Sequence, residues 1–251
     1  MPIIDDLGLQ NARVIAVVGA GGKTSLIGAL GAAFHESGFR VLATTTTKVA
    51  ADEFAQGWRC VPYESLSSLS GLDSSMPVFT YAGSLPELGK WTGLDGCHID
   101  AIAKTAQFDR ILIEADGARR CAVKAPAQHE PVIPASADSV ILVAGLSAMG
   151  KPVTDDVVFR SQLWSQLAGD VVSSEGLWKI ATDERAYGRS LKSVVRRILF
   201  LNQDDAPGAL EHVRQLMNTA NDKPEHFHVL AAGRLKPLPA ISWVWTAKRV
   251  N

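Results

Sequence analysis

Residues 14–25 read VIAVVGAGGKTS, and no other stretch restricts the fold as tightly. Five apolar residues without polar alternation describe a strand covered on both faces, as in a parallel sheet. Gly19, Gly21 and Gly22 follow at once, then Lys23 and Thr24. Leu26, Ile27, Leu30 and Phe34 fall on one face at helical spacing, and Gly38 is a suitable stop. The unit is therefore strand, glycine turn, helix, with the partial positive charge of a helix N-terminus at the end of the strand.

Two phosphate-binding patterns compete for this loop. The dinucleotide fingerprint G-x-G-x-x-G matches at Gly19 and Gly21, but its third position is Thr24. About twenty positions on, where an acid would hold a ribose hydroxyl, lies a run of threonines. The P-loop pattern G-x-x-x-x-G-K-[ST] matches at Gly22-Lys23-Thr24, although Val17 stands where its first glycine belongs. The resulting G-A-G-G-K-T loop is shorter than the standard form and resembles those of the Mur ligase group of ATP-dependent ligases. The sequence thus predicts a phosphate cradle built from Gly19, Gly21, Gly22, Lys23, Thr24 and Ser25. Thr24 is expected to hold Mg²⁺.

Further strands are expected at Arg40–Ala43, Arg110–Ala115, Val140–Ala144, Arg197–Leu201 and His228–Ala231, and helices at His98–Gln107, Ser161–Leu167 and Gly208–Ala220. Their alternation predicts an α/β fold, a three-layer mostly parallel sheet with flanking helices of the P-loop NTPase kind. One domain spanning 1–251 is expected. A Ser/Gly/Pro-rich insertion at 58–97 carries two short strands, Arg59–Pro62 and Pro77–Tyr81. A net charge of -1 argues against a generic nucleic-acid binder. Cys60, Cys97 and Cys121 form no metal or disulfide pattern. No apolar run reaches the roughly 18 residues of a membrane span, and MPIIDDLGLQNAR lacks the basic start of a signal peptide. A cytoplasmic protein is expected.

Four further stretches carry candidate chemistry. RILIEADGAR sets Glu114 and Asp116 at a strand end, with Asp116 expected as the acid on the Mg²⁺ side and Glu114 deeper. TTTTK ends another strand, where Thr46 or Thr47 can meet phosphate or Mg²⁺ and Lys48 a substrate anion. LNQDD matches the GTPase base signature N-K-x-D at Asn202 and Asp205, with Gln203 in place of lysine. A carboxylate there accepts from guanine in a way adenine cannot reproduce. GARRCAVKAPAQHEPVIP, residues 117–134, gathers Arg119, Arg120, Lys124, His129 and Glu130, groups suited to a switch loop or an acceptor site.

With these blocks in hand, the sequence resembles the YqeC-like proteins, accessory factors for selenium-dependent molybdenum hydroxylases. The resemblance is carried by VGAGGKTS (18–25), TTTTK (44–48), EADGAR (114–119), KAPAQHEPVIP (124–134) and LNQDD (201–205), in the family's order. It implies a nucleotide-binding accessory protein whose partner is an apo molybdenum hydroxylase or a cofactor intermediate.

The expected activity is slow, Mg²⁺-dependent binding and hydrolysis of a nucleoside triphosphate, GTP before ATP. Lys23, Glu114, Asp116, His129 and Glu130 are the catalytic candidates. The alternative is an ATP-dependent kinase or ligase with Lys124, His129 and Glu130 lining a small-molecule acceptor site.

Overall fold

The computed structural model describes residues 2–54, 56–73 and 75–247. In chain order the first half contains α1 (Pro2–Asp6), β1 (Val14–Gly19), α2 (Lys23–Glu36), β2 (Val41–Thr45), β3 (Lys48–Ala50), β4 (Arg59–Pro62), β5 (Val78–Tyr81), β6 (Gly83–Leu85), β7 (Lys90–Thr92), α3 (Gly96–Lys104) and β8 (Arg110–Glu114). The second half adds β9 (Val123–Lys124), β10 (Ser139–Gly145), β11 (Val158–Phe159), α4 (Ser161–Ala168), α5 (Ser174–Thr182), α6 (Gly188–Leu191), β12 (Arg196–Asn202), α7 (Ala209–Asp222), β13 (Val229–Arg234) and β14 (Ala240–Thr246).

Among the described residues, nine strands form the main sheet in the order β14-β13-β12-β10-β1-β8-β2-β5-β4. Every neighbouring pair is parallel except β13–β14. The uninterrupted apolar strands have a simple cause, because both faces of the sheet are covered. Val14, Ala16 and Val18 of β1 enter a core with α3, α4, α5 and α7. Ile15 and Val17 point the other way, into a core with α1 and α2. The architecture is α/β, a large mostly parallel sheet between helical layers. Among the described residues no helix is long and apolar enough to cross a membrane.

The two strands expected in residues 58–97 form as β4 and β5, and they join the main sheet by pairing in parallel beyond β2. Two further strands of that segment, β6 and β7, form a small antiparallel sheet with β3, in the order β3-β7-β6. Lys48 pairs opposite Thr92 and Ala50 opposite Lys90, so these four side chains share one face by strand alternation. Val49 and Trp91 take the other face; Trp91 stacks on Tyr81 at 4.3 Å and on Phe79 at 5.5 Å. The small sheet is thereby fastened to the edge of the main one by aromatic packing, with two lysines on its opposite side.

Strands β1, β2, β8, β10 and β12 all end at the same edge. Chemistry-bearing residues at their carboxyl ends are therefore brought together, as open parallel sheets generally do.

Candidate functional site

A cleft of about 1840 Å³ opens along that edge, lined by the start of α2, the ends of β2, β8 and β12, and the loops after β8 and β10. At its base lies the glycine loop. Gly19, Gly21 and Gly22 have φ of 98°, 80° and 133°, values an L side chain rarely adopts. Crowding adds a second requirement: a Cβ on Gly19 would lie 2.2 Å from the Val143 carbonyl oxygen, and one on Gly21 2.5 Å from the Gly145 nitrogen.

The loop's amides are not all available to a ligand. The Gly19 N–H donates to both carboxylate oxygens of Asp116 at 3.1 Å, Ala20 N–H to the Val143 carbonyl and Gly21 N–H to the Cys121 carbonyl. What remains open to the cleft is the N-terminus of α2, which has no side-chain cap. The first amides of a helix lack intrahelical partners, so the run Gly22 to Ser25 is the end of the loop with donors left to meet an anion in the cleft.

Lys23 sits beneath this end, 4 % exposed. Its ammonium donates to the Gly19 carbonyl at 2.8 Å and lies 3.6 Å from Glu114 Oε1 and 3.4 Å from Asp116 Oδ1. Burial alone would lower its pKa, but the two carboxylates outweigh that and hold it above the ordinary lysine value. Glu114 accepts the Thr24 hydroxyl at 2.8 Å and lines the cleft. Burial pushes its carboxyl up, against the pull of Lys23 and Thr24.

Asp116, expected as the acid on the Mg²⁺ side, is 1 % exposed and is not among the cleft-lining residues. It accepts from the Gly19 amide and the Tyr187 hydroxyl (2.7 Å), with Lys124 at 3.0 Å. Burial and the adjacent Asp116 charge drive the Tyr187 hydroxyl well above its usual pKa, so it stays a donor. Lys124 also donates to the Gly117 carbonyl and to Glu130 at 2.7 Å each, and Arg160 grips Glu130 from the far side at 2.6 and 3.0 Å. Lys23, Lys124 and Arg160 thus alternate with Glu114, Asp116 and Glu130 in a line of balanced charge that starts at the cleft floor, passes through the buried Asp116 and Lys124, and returns to the cleft wall at Glu130.

Glu130 shows how strongly that line is held. Burial would raise its pKa, yet the hydrogen bonds from Arg160 and Lys124 bring it down to about 2. A depressed carboxylate stabilises the fold above its unfolded pKa, and the gain is lost as pH falls through the folded one. Glu130→Gln is therefore expected to be less stable than wild type near neutrality, with a gap that closes as pH falls from 4.5 towards about 2. Urea titrations of both proteins across that range check it; a gap independent of pH contradicts it.

Of the other candidates, Thr46, Thr47 and Ser25 line the cleft, and Lys48 does so from the small sheet. His129 is exposed and lies outside the lining, as does Lys124, which is 2 % exposed. Asn202 is at the end of β12, and its amide nitrogen donates to the Gly21 carbonyl at 2.7 Å. Its Oδ1 is buried without a partner, an orphan acceptor beside the loop. Gln203 adopts φ 68° and accepts the Ser147 hydroxyl at 2.6 Å. Asp205 is exposed at the cleft rim, while its neighbour Asp204 faces Arg234 at 3.7 Å. Tyr187 and Arg160 belong to the site's support and carry no local sequence signal; only the fold brings them in.

Among the described residues no group of three or more His, Cys, Asp or Glu is placed to hold a metal. Thr24 and Glu114 nevertheless offer adjoining oxygens at the cleft floor. Such a pair suits Mg²⁺, which takes one or two carboxylates plus phosphate oxygens and keeps several waters.

Comparison with known proteins adds the family. The family model described as YqeC protein matches residues 15–162, more than half of the chain. A protein from Escherichia coli (strain K12), described as uncharacterized protein YqeC, is 40% identical over 168 residues, which cover 66% of this chain. The matched stretch covers 64% of that relative's own length. No solved structure matches. The glycine loop, the Glu114–Asp116 strand end and the 124–134 block all fall within the matched residues, and the chain belongs to the YqeC family.

Proposed function

We propose that this chain binds a nucleoside triphosphate with Mg²⁺ in a P-loop-like manner, GTP before ATP, and hydrolyses it slowly. The observation that carries this is the uncapped N-terminus of α2 opening onto the cleft, with the Thr24 hydroxyl on Glu114 directly at its first turn. The amides of Gly22 to Ser25 bind the phosphates, and the Lys23 ammonium turns from the Gly19 carbonyl to the terminal phosphoryl oxygens. Thr24 and Glu114 hold Mg²⁺; Asp116, fully engaged below, keeps the loop in shape. Bound Mg²⁺ neutralises phosphate charge. Glu114 and Lys23 position the reacting groups, the usual protein share in phosphoryl transfer.

The base lies at the Asn202–Asp205 end of the cleft. Asn202 spends its donor on the loop, which leaves its buried Oδ1 to accept from a base. Asp205 accepts from guanine N1–H and the exocyclic amine. The biological setting follows the family resemblance: a cytoplasmic accessory protein in the maturation of a molybdenum hydroxylase or its cofactor. The size of the cleft favours a second reading, an ATP-dependent kinase or ligase with a small acceptor.

Competition of GTP, ATP and XTP against a fluorescent nucleotide with Mg²⁺, for wild type and Asp205→Asn, tests the assignment. Wild type is expected to favour GTP by tenfold or more, consistent with unmatched polar groups on the wrong base, and the variant to shift towards XTP. Preference for ATP, unchanged in the variant, removes the guanine site and leaves the kinase or ligase reading.

A further inference from the structure

The cleft is larger than a nucleotide needs. At about 1840 Å³ it is well above the roughly 300–1000 Å³ of ordinary small-molecule sites. Its chemistry is also uneven. On the side away from Asn202, the cleft is lined by Lys48 and Lys90 from one face of the small sheet and by Arg119 and Arg120 from the loop after β8, while Lys151 lines it from the loop after β10, the strand next to β12. All five are exposed, in a chain whose net charge is only -1. The exposed acids that share the lining there are Glu53 and Asp156, and Asp156 already feels Lys151. Among the described residues Lys48, Lys90, Arg119 and Arg120 form no ion pair. Like charges gathered without partners in a concave wall repel one another and raise the local potential.

The two arginines carry a second signal. Arg119 and Arg120 have φ of 46° and 64°, consecutive left-handed positions where glycine is free of strain. The chain places its longest cationic side chains there instead, with Arg119 resting on the Phe159 ring at 5.2 Å. Thr47 faces the same loop: a Cβ on Gly117 would sit 3.4 Å from its hydroxyl, so the lysine sheet and the arginine loop abut. Guanidinium groups match phosphate oxygens bidentately, and flanking ammonium groups supply further charge.

We infer that this wall is a second ligand site, which takes an organic phosphomonoester while the cradle holds a nucleotide. It deepens the nucleotide reading and rests on it for the filled cradle. The test is calorimetric titration of phenyl phosphate into protein saturated with Mg²⁺ and a non-hydrolysable GTP analogue, for wild type and Arg119→Gln/Arg120→Gln. Nucleotide affinity is measured on the same samples, and thermal melting confirms that the double variant is folded. Saturable binding that the double variant weakens at least tenfold, with nucleotide affinity changed less than twofold, supports the site. No saturable binding, equal binding by both proteins, or displacement of phenyl phosphate by the nucleotide analogue overturns it. Equally tight binding of benzoate overturns the phosphomonoester class. Should the nucleotide itself not bind, the cradle assignment fails, while an arginine-dependent phenyl phosphate signal still upholds the second site.

Discussion

Asp116→Ala is expected to destabilise the protein by about 3–5 kcal/mol, the range seen when one partner of a buried ion pair is removed. For a chain of this size that corresponds to a drop in melting temperature on the order of 10 °C. The reason is the number of groups left behind. The Gly19 amide and the Tyr187 hydroxyl each lose their acceptor, and Lys23 and Lys124, 4 % and 2 % exposed, lose the carboxylate between them. Three carboxylates then face three cations no longer, and the excess charge is buried. Thermal melting monitored by far-UV circular dichroism decides it. A variant that melts within a degree or two of wild type, yet loses Mg²⁺-dependent nucleotide binding, contradicts the structural role and restores Asp116 to the metal.

That contrast marks where sequence reasoning stops. Alternation along an extended strand puts Glu114 and Asp116 on one face, which made Asp116 the natural metal-side acid. The strand ends at Glu114. Ala115 makes the last backbone-to-backbone bond to β1, through its amide to the Val17 carbonyl, and the chain then turns Asp116 under the loop. Nothing local announces the turn, because two of the partners that hold Asp116, Gly19 and Tyr187, lie 97 and 71 residues away in the chain. The central strands were legible for the opposite reason: burial on both faces demands an unbroken apolar run, and VIAVV, ILI, VILVA and ILFL supply it. β14 carries no such run, since it is a half-exposed edge strand, ISWVWT, just past Pro237 and Pro239. α5 is equally hard to read. Its Ser173 hydroxyl caps the Gly176 amide at 3.0 Å, yet the apolar spacing in SEGLWKIAT covers only nine residues. The glycine loop itself, with its strand before and helix after, is legible in the sequence. The commitment of the Gly19 and Gly21 amides to Asp116 and Cys121 depends on contacts about a hundred residues away in sequence.

Lys23→Ala is expected to weaken triphosphate binding about a hundredfold or more while leaving a folded protein. Hydrogen bonds to charged groups contribute roughly 1.5–3 kcal/mol each, and two such bonds from one ammonium to phosphate oxygens amount to at least about 3 kcal/mol, two decades or more in affinity. The fold tolerates this loss better than the loss of Asp116, although both residues belong to the same line of charges. Asp116 keeps the Gly19 amide, the Tyr187 hydroxyl and Lys124. Glu114 is left with the Thr24 hydroxyl, but it lines the cleft, and burial already pushes its pKa up. It can take a proton or meet water, so no charge stays trapped. Equilibrium titration with a fluorescent GTP analogue and Mg²⁺, beside a thermal melt of the same sample, separates the two effects. A well-folded Lys23→Ala protein with wild-type affinity would mean that the ammonium remains on Gly19, Glu114 and Asp116 as a structural tie, and the phosphate cradle would have to be abandoned.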